Sequence, residues 1–260
     1  MTAILRVESR KRVRGSIVLV VVFALLSALY FSIFPSVQAE ADVLEEAFPE
    51  IFFELFGIEA LHTIEGFVAA EIYSFFWVVL VAIYVAYVSA GLIAGDIRDR
   101  RLDLLLSNPV SRESVVLQKV AALWVPLVAL NVAVPIIVYV GALVIGESFD
   151  PVALAMVHLL SIPYLLVCVG IGLVLSVLVD RVRTARGAAV AIVALQWLIE
   201  GISRLDEDFE WIGAVAPSWY YDETEILVHE EYALLDAGLL LAVFLVLIVV
   251  AMVVFVRRDI

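Results

Sequence analysis

Six apolar stretches alternate with polar ones along the chain. Gly15–Phe34 is an uncharged run of 20 residues, Ile72–Ala94 of 23, Val120–Gly146 of 27 and Ala237–Val256 of 20. Pro151–Val179 gives 29, with His158 its one group that titrates near neutrality. A bilayer core of about 30 Å needs roughly 20 helical residues, so each of these five can span. The remaining run is weaker: Gly187–Ile199 has 13 residues before Glu200 interrupts it.

The polar segments sort by sign. Fifteen of the 16 Lys and Arg lie in Arg6–Arg14, Arg98–Lys119, Arg181–Arg186 and Arg257–Arg258. On the other side of the apolar runs lie segments with almost only acid, in Glu40–Glu65, Glu147–Asp150 and Asp206–Asp236. Basic loops stay on the cytoplasmic side. The chain therefore reads as an all-α polytopic membrane protein with both termini cytoplasmic, and the cell (plasma) membrane is the expected location. The weak run must also cross. Arg181–Arg186 and Arg257–Arg258 are both inside, so an even number of crossings separates them. The expected spans are 15–34, 70–94, 119–146, 153–179, 187–203 and 236–256, in one transmembrane domain over residues 1–260.

Periodicity adds two elements outside the spans. Leu44, Phe48, Ile51, Phe52, Leu55 and Phe56 recur at helical spacing, with Glu45, Glu46, Glu50 and Glu54 between them. This predicts an outer amphipathic helix over about 43–57. On the inner side, Leu102, Leu105 and Leu106 share one helical face, with Arg100 and Leu104 nearly opposite. Asn108-Pro109 stops that helix, because the residue before Pro avoids the right-handed helical region. Ser111 is placed to cap the next helix. A short inner helix over about 98–107, between spans 2 and 3, is the result. The N-terminal arm carries Ile4, Leu5 and Val7, enough to lay it along the inner interface. Phe209, Trp211, Trp219, Tyr220 and Tyr221 suit the outer membrane–water interface.

Composition changes the picture little. Apolar residues make up 64% of the chain, far above the soluble range of about 45–50%. The net charge of −13 divides into −21 outside and +8 inside. An acidic outer face does not suit nucleic acid, which needs a basic surface. There are two Lys against 14 Arg; acid excess with few Lys fits an organism living in high salt, or outer acids that topology merely tolerates. The single cysteine, Cys168, allows no intrachain disulfide. No small-residue cleavage site follows the first apolar run, so a cleaved signal peptide is not expected.

Candidate chemistry is sparse. Glu71 and Glu200 sit at span ends, where snorkelling competes with a role in lining an exit for a cationic substrate. Asn131 lies within span 3, where interhelical hydrogen bonding competes with a place on the path. His158 and Ser161 share a face of span 4, but no acid orients them. Met156, His158 and Cys168 do not share one face as a soft-metal path would need. No G-x-x-x-x-G-K-[ST] run is present to cradle phosphates. Pro126, Pro135 and Pro163 are expected to kink spans 3 and 4.

The inner segment resembles a known family. It reads Leu102-Asp103-Leu104-Leu105-Leu106-Ser107, then Pro109-Val110-Ser111-Arg112 and Lys119. This is similar to ATP-binding-cassette (ABC) permeases of type two, the exporter-type family. Those tend to carry an acid, Gly-Thr-Leu, a Leu-rich turn, Pro-Val-Ser-Arg and a Lys. The chain departs at Arg100-Arg101, where Gly-Thr is usual. Ala216-Pro217-Ser218-Trp219-Tyr220-Tyr221 is similar to the Ser-Pro…Tyr-Tyr element before the last span. The resemblance implies a permease that is not itself an enzyme and holds no cofactor. It implies an ABC ATP-binding subunit as partner, and a second permease copy in a homodimer or heterodimer. The inner helix would be the coupling helix that docks the ATPase, through Arg100, Arg101, Leu102, Leu104, Leu105, Pro109 and Arg112. Glu71, Asn131 and Glu200 are the candidates for the translocation path. Two rivals remain, an ion-coupled secondary transporter and a non-transporting membrane assembly or scaffold protein. The first usually places charges and broken helices at mid-membrane, and the second has no need of the inner helix. The residues name no substrate.

Overall fold

The computed structural model describes residues 3–258, excluding the side chains of Glu45, Glu50 and Glu207. In chain order the helices are α1 (Ala3–Ala39), α2 (Ala41–Ala47), α3 (Glu50–Phe56), α4 (Ile64–Val68), a π-helix (Ala69–Val81), α5 (Ala82–Ala90), α6 (Ala94–Arg98) and α7 (Arg101–Leu106). Then come α8 (Arg112–Ala121), α9 (Trp124–Ile145), α10 (Pro151–Leu178), α11 (Val182–Ser203), α12 (Glu210–Gly213), α13 (Glu223–Leu227) and α14 (Leu234–Arg257). Among the described residues, six helical stretches are long and apolar enough to cross a membrane: Ala3–Ala39, Ile64–Ala90, Arg112–Ile145, Pro151–Leu178, Val182–Ser203 and Leu234–Arg257. They are spans 1 to 6 below.

Span 4 is the axis of the molecule. Its apolar window is 72% buried, against 22% in spans 1, 3 and 6, so the others are arranged around it. It packs on α14 and on α5, while α9 packs chiefly on α1. Gly172 permits the closest approach: a Cβ there would meet the Ala86 carbonyl oxygen at 2.3 Å. Asp150 caps α10, its carboxylate accepting from the Val152 and Ala153 amides at 3.1 and 3.0 Å, with Pro151 in the first turn, where its missing N–H costs nothing.

The structure corrects several boundaries. Span 1 continues without a break into the N-terminal arm, so residues 3–14 are helix rather than a separate interfacial segment. No Gly or Pro interrupts them, and Glu8 pairs with Lys11 and Arg12 one turn on, at 2.6 and 3.7 Å. The outer helix expected over 43–57 is two helices. Pro49 has no N–H to continue the ladder and holds Phe48 extended. The expected acidic face falls partly on Glu45 and Glu50, whose side chains lie outside the described residues. Span 2 runs over Ile64–Ala90 rather than 70–94, since Thr63 caps its start by accepting from the Gly66 amide at 3.1 Å. The break near Pro126 falls one turn earlier, at Ala122-Leu123, because Pro126 cannot donate to the carbonyl four residues back. Pro135 and Pro163 lie inside unbroken helices.

The π-helix extends for 13 residues. Its i→i+5 ladder is rare and appears mostly as single turns inside α-helices, frequently at functional sites. Here Tyr73 and Trp77, both fully buried, turn together toward His158 of span 4, with ring centroids 5.4 and 4.6 Å from the imidazole.

Candidate functional site

The inner helix is built by two opposing turns. α6 ends at Arg98, and Arg100 then takes the left-handed region, with φ 54° and ψ 26°. That reversal starts α7 at Arg101 rather than at 98. Arg100 therefore stands outside the helix instead of sharing a face with Leu104. α7 stops at Leu106, where the Ser107 hydroxyl and the Asn108 amide both donate to the Leu104 carbonyl at 2.9 Å. Ser111 caps α8 by accepting from the Ser114 amide at 3.2 Å.

Along α7 the side chains divide sharply. Leu102 is fully buried, Leu105 and Leu106 are half-buried, and Leu104 is 71% exposed. Arg100 and Pro109 are exposed, and Arg101 reaches solvent while pairing with Asp99 at 3.3 Å. Arg112 is engaged elsewhere. Its guanidinium donates to the Phe255, Val256 and Arg258 carbonyls and lies over the Phe255 ring. The last carbonyls of a helix lack partners of their own, so Arg112 closes the end of span 6 rather than presenting itself with α7.

A cleft of about 340 Å³ lies between α7 and the first turns of α1, bordered by Ile4, Val7, Lys11, Arg101, Leu104 and Leu105. Beneath it is a buried ion cluster. Lys119 is 2% exposed and reaches Asp96 at 2.6 Å and Glu8 at 3.5 Å. One ammonium thus joins α8, α6 and α1.

At the opposite end, the lone base of the acidic side organises a second cluster. Arg204, at the end of span 5, pairs with Glu200 and with Asp222 at 2.9 Å. Beside them the Ser74 hydroxyl of span 2 donates to Glu223 at 2.8 Å. Burial and the neighbouring Asp222 push the Glu223 carboxyl up to about 8, against the opposing pull of Arg204. Gly57 ends α3 at φ +60°, and a Cβ there would meet the Arg204 guanidinium at 2.8 Å. Ser74, Glu200, Arg204, Glu223 and Trp197 border a cavity of about 210 Å³. Glu200 is thus 5% exposed and ion-paired, not snorkelling.

The other two path candidates lie elsewhere. Glu71 is half-buried and faces the Tyr30 hydroxyl of span 1. Asn131 bridges spans 3 and 4, accepting from the Ser161 hydroxyl at 3.2 Å and donating to the Leu127 carbonyl at 2.9 Å. It lines a separate cavity of about 640 Å³. The structure does not bring Glu71, Asn131 and Glu200 to one site.

The single Ser161 hydrogen is shared between Asn131 and the His158 carbonyl, so the two side chains form no hydrolytic pair. Among the described residues, no group of three or more His, Cys, Asp or Glu is placed to hold a metal. Sequence reasoning missed Arg204, Asp222 and Glu223 as one cluster. The signal available was the solitary base in an acidic half. It also placed Tyr221 at the wet interface, whereas Tyr221 is buried, stacks on Tyr164 and donates to the Val157 carbonyl at 3.0 Å. His229 pairs with Glu59 at 2.9 Å, which raises its pKa.

A family model described as ABC-2 family transporter protein matches residues 2–207. No curated protein and no solved structure matches the chain. The matched stretch runs from the foot of span 1 to just past the end of span 5 and contains α7 with both of its turns. With most of its length matched and six helices able to cross a membrane, the chain belongs to the ABC-2 family of transporter proteins, as a multi-pass membrane component.

Proposed function

We propose that this chain is the permease half of an ATP-driven exporter, pairs with a second permease copy, and docks a separate ATPase subunit through α7. Leu104 carries the reading. It is 71% exposed on a helix outside all six spans, while Leu102 on the same helix is sealed beneath. An apolar side chain so presented fits a groove on a partner. Arg100, Arg101 and Lys11 give the surroundings a basic rim, which suits an acidic rim on that partner. Leu105 and Pro109 extend the apolar strip. Arg112 acts behind the surface by fixing span 6. Family membership supports the transporter role, and the basic segments on this side support its facing the cytoplasm.

For the path, we retain Glu71 and Asn131 ahead of Glu200, whose charge is already matched by Arg204. Replacing Leu104 with Asp tests the docking. Membrane insertion should be unchanged, because the position is outside the lipid. Recovery of the ATPase subunit in a pull-down should fall by the equivalent of about 1–3 kcal/mol, the range for losing an interface anchor. Transport and substrate-stimulated ATP hydrolysis should fall with it. Full recovery with intact transport would reject α7 as the docking element.

A further inference from the structure

The largest cavity described above is not at either charged end but within the membrane-crossing helices. It lies between spans 3 and 4, encloses about 640 Å³, and its wall runs from Trp124 to Tyr139 on α9 and from Pro151 to Ile162 on α10. Fifteen steps of about 1.5 Å along α9 make it roughly 22 Å long, most of the depth of a bilayer core. Val128, Val132 and Ile136 on its wall are exposed, so it opens sideways, where the surroundings are lipid.

Its lining is apolar apart from Asn131 and His158 midway along it and the Trp124 indole and Tyr139 hydroxyl towards its two ends. His158 is 3% exposed, and its Nδ1 has no hydrogen-bond partner. Its Nε2 lies 2.8 Å from the Tyr73 hydroxyl. Tyr73 has no other hydrogen-bond partner among the described residues. If Nε2 donated to Tyr73, the phenolic hydrogen would be stranded as well. Donation from Tyr73 to Nε2 leaves one unpaired group instead of two, and it places the remaining hydrogen on Nδ1. The Asn131 amide spends one N–H on Leu127 and keeps the other. Midway along the cavity, Asn131 and the buried His158 Nδ1 thus supply two N–H donors among apolar side chains, where an unpaired polar group is costly.

We propose that this cavity binds a lipid-phase carbonyl compound of the quinone class, with His158 Nδ1 and Asn131 Nδ2 donating to its oxygens. An acyl chain alone would fill the volume but leave both donors empty. A glycerol ester holds its carbonyls at headgroup level, whereas His158 is seven residues, roughly 10 Å, along α10 from its outer end. A quinone has no charged anchor and can bring planar carbonyls to that depth. Spans 3 and 4 touch only sparingly, since α9 rests mainly on α1. A slight parting of the two therefore uncovers Nδ1. The site does not depend on ATPase docking.

The test uses the full chain in lipid nanodiscs without an ATPase. One probe is a decyl-benzoquinone bearing a diazirine, and the other is the same tag on a plain alkyl chain. After irradiation, labelled peptides are identified by mass spectrometry. The quinone probe should label 124–139 and 151–162, and untagged quinone should compete. Val132→Trp, which fills the cavity from an exposed position, should abolish that labelling. His158→Phe keeps a ring against Trp77 but removes Nδ1; it should lower quinone labelling roughly two- to tenfold, the worth of one hydrogen bond, and leave alkyl labelling unchanged. Equal labelling of the wild-type chain by both probes would overturn the proposal, even if His158→Phe failed to fold. Wild-type quinone labelling in a folded His158→Phe chain would overturn it as well.

Discussion

Arg100 holds its backbone in the left-handed region at the turn into α7. A Cβ makes that conformation costly by roughly 1–2 kcal/mol, and glycine adopts it freely. Glycine is also the residue that related permeases tend to carry there. Arg100→Gly should therefore raise the stability of the chain, by up to about 1 kcal/mol after the added freedom of the unfolded state is subtracted. Arg100→Val should lower it. Thermal unfolding of the purified chain in detergent reads both, and a lower midpoint for the glycine variant would show that the guanidinium contacts outweigh the backbone. At this scale the sequence was only partly legible. The exposure of Leu104 followed from helical spacing. The inward turn of Arg112 did not, because its partners are carbonyls at the far end of the chain. The burial of Tyr221 did not either, because an interfacial tyrosine and a core tyrosine whose hydroxyl finds a carbonyl look alike in sequence.

Lys119 shows how single residues bind elements together. It is the only base of α8 besides Arg112, and it is sealed between Asp96 and Glu8. Removing one member of a buried ion cluster strands the others. Lys119→Ala should destabilise the chain by about 3–5 kcal/mol, and the inner helix should loosen first because Asp96 sits on α6, next to it. Hydrogen exchange at 94–107 checks this; unchanged protection there would show that the turn at Arg100 alone holds α7. Element boundaries were legible where one cap or one proline decided them, as at Ser111 and Asn108-Pro109. They were misread where periodicity ran straight through a breaker. The apolar pattern from Leu44 to Phe56 crosses Pro49 without a change of phase, so one helix was expected where there are two. The π-helix leaves no mark on the pattern, since an apolar run satisfies either ladder.

Across the whole molecule, the charge sort is the strongest determinant, and six crossings would put all four basic segments on one side. Single cysteines at Glu46, Ser148 and Glu231 should react with an impermeant thiol reagent applied from outside. Cysteines at Asp103 and Thr184 should stay unlabelled until the membrane is opened. All five positions are exposed, and native Cys168 is buried, so the background is low. Labelling of position 184 from outside would overturn the arrangement of spans 5 and 6. The parity of basic segments made even the short fifth span legible, because it is a property of the whole chain and not of any one run.

The unbroken length of α1 has a mechanical meaning. Thirty-seven residues make a rod of about 55 Å, longer than a bilayer with its headgroups, about 40–45 Å. Its foot forms one wall of the cleft beside α7, and its shaft rests against α9. Such a rod behaves as a lever. A tilt of about 5° about its outer end would swing the foot by about 5 Å over that length, close to one helical turn. A small change in how span 3 sits within the membrane would therefore arrive at the inner surface enlarged, and a push on the foot from below would travel back along the same rod.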